Sequence, residues 1–124
     1  MNDQLISGSA EVFQALKTLL TPYANVMNIT VDTDENYSLT TRVPGPRNSP
    51  MFFAAVHRRM AYVSFHLMPV YVRPQLLEGV PPALIARMHG KSCFNFTQIS
   101  AGQLEQLRAL TQRGHALYLS LSFA

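Results

Sequence analysis

Two histidines, a cysteine and a lysine mark the parts of this chain whose residue types could do chemistry. His57 and His66 sit on two successive apolar runs joined by the short connector Arg58-Arg59-Met60, and Cys93 follows the string Gly90-Lys91-Ser92. A two-histidine, one-cysteine set (His57, His66, Cys93) would suit zinc or iron if the three side chains shared one sheet face. Alternatively, His66 could act as a general base beside Cys93 or Lys91, or be a hydrogen-bonded histidine on the less apolar sheet face. Cys93 has the same two readings. It is a reactive thiol if Lys91 lends it an electropositive setting, and a small packed apolar residue otherwise.

Two apparent motifs fail on their own spacing. Gly90-Lys91-Ser92 looks like the end of a phosphate loop, but that loop needs a glycine five positions earlier, where Ile85 stands. It also needs a strand before it and a helix after it, the reverse of the order here. Asp32, Asp34 and Glu35 open like a calcium loop, yet the required glycine is Tyr37 and the closing glutamate is Val43. They read as the solvated tip of a hairpin.

A pocket is the stronger expectation. Alternation along 61–68 puts Val63, Phe65 and Leu67 on one side and Tyr62, Ser64, His66 and Met68 on the other. The segment 69–74 then crosses towards short helices and is expected to carry Tyr71 and Arg73 over that polar side. Parity adds Lys91, Cys93 and Asn95 from a later strand. The expected site is therefore Tyr62, Ser64, His66, Tyr71, Lys91, Cys93 and Asn95. Lys91 would attract a small anionic molecule, while His66, Ser64 and Asn95 supply directional hydrogen bonds.

The elements that must position these residues follow from patterning. A first helix is expected over 9–20, capped by Ser9, carrying Phe13, Leu16, Leu19 and Leu20 on one stripe and stopped by Pro22. Strands follow at 26–31, 37–43, 51–57 and 61–68, with a Pro- and Gly-rich loop at 44–50. Short helical pieces at 74–77 and 81–88 precede a strand at 92–96, with Gly90 as a helix cap. Ser100 and Gln103 form a capping box for a last, leucine-rich helix, which Gly114 would kink or shorten. The order predicts an α+β fold in which a single antiparallel sheet has N- and C-terminal helices packed on it.

Composition bounds the function classes. The 124 residues fit one domain, and 48% apolar residues with only 14% charged are incompatible with disorder as the main state. The net charge is +3, but the basic residues are scattered, and the only doublet is Arg58-Arg59. No nucleic-acid partner is therefore expected, and no apolar run approaches the length of a membrane span. The first residues lack the basic and apolar regions of a secretory leader, and one cysteine fits a reducing compartment, so the cytoplasm is expected. The apolar run 51–56, read as an edge strand, favours a homodimer.

The runs 61–71, 76–84 and 87–96, with Gly90-Lys91-Ser92-Cys93-Phe94-Asn95-Phe96 the most specific string, together resemble the YdhG-like family of small bacterial domains. The likeness covers about residues 10–122. It implies a compact α+β fold with a curved antiparallel sheet. The family has no established reaction. Some of its relatives are connected with intracellular iron handling through a frataxin-like shape, an idea that leans on an acidic helix surface. Here the first helix holds only Glu11 and the last only Glu105. The expectation is a small cytoplasmic binding domain with its ligand pocket on one sheet face. The alternatives are an iron- or metal-binding chaperone using His57, His66 and Cys93, and a small enzyme with His66 as base.

Overall fold

A computed structural model describes residues 4–45 and 47–124. The elements run β1 (Leu5–Ser7), α1 (Ser9–Lys17), β2 (Met27–Asp32), β3 (Asn36–Pro44), β4 (Pro50–Arg58), β5 (Val63–Leu67), α2 (Met68–Val72), α3 (Pro82–Ile85), β6 (Cys93–Phe96), β7 (Gln98–Ser100) and α4 (Ala101–Ser120), with 3-10 turns at Thr21–Tyr23 and Pro74–Leu77. The fold is α+β, as the patterning predicts. Five strands form one antiparallel sheet in the order β2-β3-β4-β5-β6, and β1 pairs with β7 in a separate two-stranded sheet. Among the described residues no helix is long and apolar enough to cross a membrane.

Period-two alternation gives the main sheet two unlike faces. Tyr37, Leu39, Val56, Phe65, Phe94 and Phe96 point inward and are buried. They form one core with Val12, Phe13 and Leu16 of α1 and Leu107, Leu110 and Tyr118 of α4. The outward positions, among them Ser38, Thr40, Ala55, His57, Ser64, His66, Cys93 and Asn95, keep part of their surface in solvent. The helices therefore cover one face and leave the other open. A bulge in β4 sharpens the division. Leu39 faces Ala54 while Thr40 faces Phe52, so Phe53 is the extra residue and turns into the core as Phe52 stays outside.

Several boundaries differ from expectation for identifiable reasons. The first helix ends at Lys17, and residues 18–20 form a turn before the Pro22-containing 3-10 turn. Its N-cap is Gly8 at φ 92°, not Ser9, whose hydroxyl accepts instead from Nε of Arg58. β5 starts at Val63 rather than 61, because a turn bond from the Arg59 N–H to the Tyr62 carbonyl closes the hairpin first. The crossing segment after β5 is helical as α2, with Pro69 in the first turn where its missing N–H costs nothing. The piece expected over 81–88 is helical only as α3. The 44–50 loop is observed as the β3–β4 connection, its Pro46 lying outside the described residues.

The last helix obeys its signals closely. The Ser100 hydroxyl accepts from the Gln103 N–H, and the Gln103 side chain accepts from the Ser100 N–H, completing the capping box. Gly114 neither kinks nor ends α4; it lies buried where the helix passes Pro69 of α2. The run expected as an edge strand, 51–56, is central instead, since β4 is flanked by β3 and β5. The homodimer argument built on it fails for that reason. The β6 margin of the sheet is closed: the Asn95 N–H donates to the Arg87 carbonyl and the His89 N–H to the Cys93 carbonyl, at 2.8 and 2.9 Å.

Candidate functional site

Register decides which polar side chains meet on the open face. Asn36, His57, Ser64 and Asn95 are successive cross-strand partners in one row running from β3 to β6. Three strand spacings make that row about 14 Å long. The next row holds Val31, Ser38, Ala55, His66 and Cys93. His66 and Cys93 are therefore direct partners on neighbouring strands, the one adjacency that sequence parity left undecided.

A concavity of about 200 Å³ lies on these two rows, lined by Val31, Asn36, Ser38, Ala55, His57, Arg59, Ser64, His66 and Cys93. Arg59 comes from the β4–β5 turn, and its guanidinium has no ion pair among the described residues. No carboxylate among the described residues lines the concavity. Larger grooves exist beside α1, one of them sharing Arg59, but each has an acidic side chain in its lining. Lys17 pairs with Asp32 at 3.1 Å, Arg58 is bonded to Ser9, and Asp34 or Glu35 is part of the lining.

His66 is held at three points. Its Nε2 lies 2.8 Å from the Ser92 hydroxyl, the Phe52 ring meets it edge-on at 4.8 Å between centroids, and Cys93 flanks it across the ladder. Burial pushes the imidazole below the ordinary histidine range, so the neutral ring is favoured. In that state the ring carries one proton, and the Ser92 hydroxyl can donate to Nε2 when that proton sits on Nδ1 or accept from Nε2 when it does not. Beyond Ser64, Oδ1 of Asn95 is buried with no hydrogen-bond partner among the described residues, an acceptor at the end of the polar row.

The expected site is thus partly assembled. Ser64, His66 and Cys93 line the concavity, and Asn95 adjoins it. Tyr62 lies instead in a small cleft with Met60, Ala61 and Thr97, because it precedes β5 and parity does not apply to it. Tyr71 is an exposed residue of α2, and Lys91 is an exposed loop residue whose Nζ sits 6.0 Å from the Tyr71 ring. Neither reaches the concavity, and Arg59 takes the place assigned to Lys91. Sequence reasoning also missed Ser92, Ser38 and Asn36; the alternation of 37–43 was the available signal for Ser38.

His57, His66 and Cys93 share the concavity, yet among the described residues no group of three His, Cys, Asp or Glu side chains is placed to hold a metal ion. Of the groups named for a general-base pairing, Cys93 lies directly across the ladder from His66, Lys91 lies outside the concavity, and Nε2 of His66 is engaged by Ser92. Comparison with protein-family models, curated proteins and solved structures finds no match for the chain.

Proposed function

We propose that this chain is a small binding domain whose open sheet face takes an anionic small molecule. The observation that carries the reading is the lining itself. One guanidinium with no ion pair among the described residues, two imidazoles, two hydroxyls and an amide converge on a concavity that has no carboxylate among its described lining residues. Fixed and titratable positive charge with directional donors is the chemistry that recognises a phosphate, sulfate or carboxylate group. Arg59 supplies the planar two-pronged donor, and Ser38, Ser64 and Asn36 fix orientation. A small molecule fits better than nucleic acid, because a single arginine stands at the site and no basic stripe extends from it. The free thiol of Cys93, the chain's only cysteine, supports a reducing compartment. The open antiparallel sheet backed by terminal helices also agrees with what YdhG-like membership would require, and we keep that membership as part of the proposal.

The test is a thermal-shift screen at constant ionic strength against small phosphorylated, sulfated and carboxylated compounds. A ligand at one hundred times its Kd adds about 2.7 kcal/mol of stability. Hits are expected whose shift disappears in Arg59→Ala and persists in Lys91→Ala. A flat response across the panel, or an Arg59→Ala protein that responds like the parent, overturns the reading.

A further inference from the structure

We infer that anion capture on the open sheet face is coupled to protonation of His66, with the Ser92 hydroxyl serving both protonation states. The inference rests on the anion-site reading above and adds its regulation. The Ser92 side chain is buried, and its oxygen lies 2.8 Å from Nε2. A hydroxyl donates to the neutral ring and, after rotating about its C–O bond, accepts from the protonated one. His66 can therefore change charge without moving a heavy atom.

The surroundings decide when that change is favourable. Ala55 faces His66 from β4 and Cys93 faces it from β6, His57 lies one row along opposite Ser64, the Phe52 ring packs against the imidazole, and Arg59 lines the same concavity. Glu35 lines the adjoining groove that shares Arg59 and is not part of this lining. A protonated His66 thus pays for its burial beside the cationic Arg59 side chain of the same concavity, and no negative group among the described lining residues offsets that cost. An anion supplies that charge, so proton and anion bind together. Each unit by which a bound anion raises the proton affinity of the ring strengthens anion binding about tenfold on acidification.

Sulfate is the probe, because its charge stays constant across the histidine range and every titration then belongs to the protein. Binding is followed by NMR on the full chain, reading the imidazole Cε1–H resonances, from about pH 7.5 to about pH 5.5. Affinity is expected to rise about tenfold over that interval, and the His66 midpoint to move upward in sulfate. His66→Gln should keep Arg59-dependent binding at the higher pH and lose most of the gain. Ser92→Ala should lower the His66 midpoint, since the bond lost from the protonated ring is charge-assisted and stronger than the one lost from the neutral ring. The parent resonances give the answer even where a variant fails to fold. Arg59-dependent binding that does not change with pH overturns the coupling alone, as does a gain abolished by His57→Gln but not by His66→Gln. No sulfate binding at any pH overturns the coupling and the anion site together.

Discussion

Replacing Gly114 by alanine pits two measurable effects against each other. In the middle of a helix, alanine is favoured over glycine by about 1 kcal/mol, because glycine loses more backbone freedom on folding. At this position a methyl group would stand 2.9 Å from Cβ and 3.0 Å from Cγ of Pro69, with Cδ1 of Leu67 at 3.9 Å. Comfortable carbon–carbon contact is about 3.5–4.0 Å, so α2 and α4 must part by more than half an ångström. The proline ring cannot rotate out of the way, and Pro69 is itself buried at the start of a helix that leaves β5 without a linker. Overpacking of this kind costs about 1–3 kcal/mol, and the rigidity of the neighbour puts the cost in the upper part of that range. The steric effect therefore wins, and Gly114→Ala should destabilise the fold by about 1–2 kcal/mol net. Urea unfolding should show a lower midpoint at unchanged slope, and the Tm should fall by about 4–8 °C. Combining the change with Pro69→Ala should recover part of the loss, giving a coupling energy of the relieving sign. A Gly114→Ala protein that is more stable than the parent would refute the close approach and leave only the propensity argument standing.

Tyr118 and the histidines give two further tests. Tyr118 is fully buried and donates to the Phe52 carbonyl at 2.8 Å, so Tyr118→Phe should cost about 1–2 kcal/mol by orphaning that carbonyl beside the β4 bulge. Burial also pushes the Tyr118 phenol well above the ordinary tyrosine range, so the folded state resists its ionisation. Stability should therefore fall as pH rises past about 10, and Tyr118→Phe should remove part of that alkaline loss in urea titrations. His115, packed edge-on against Tyr23 and Phe53, is held below its usual range by burial, as His66 is. The unfolded chain then binds more protons than the folded one just below about pH 6.5, so stability should decline on acidification there. His115→Gln should flatten the decline; an unchanged slope would show that the ring's environment does not disfavour its charged form.

Much of this architecture was legible because strong local signals agreed with the tertiary arrangement. The clean alternation of Val63-Ser64-Phe65-His66-Leu67 survives as a strand with one buried and one open face. The Ser100–Gln103 capping box starts α4 where its spacing says it should. Two features escaped. β1 and β7 are three-residue strands, too short to show a period and defined only by each other. The second neighbour of β5 was equally hidden, since β6 joins it across three 3-10 or α-helical pieces and a loop. At the site, parity served well inside strands and misled just outside them. Ser64, His66, Cys93 and Asn95 fell on one face as expected, whereas Tyr62 and Lys91 lie before their strands begin and Tyr71 belongs to a helix. Arg59 was passed over because a turn residue has no face until the fold gives it one.

The closed margin of the main sheet has a consequence for self-association. With Arg87 and His89 bonded along β6, the backbone of β2 is the only unpaired margin that this sheet presents among the described residues. Strand addition there consumes the one open margin of each participant. Two copies joined in that way would have no further template to offer, so growth by this route halts at a pair and cannot propagate into a fibre. The short 87–89 segment thus acts as a chain terminator for sheet extension.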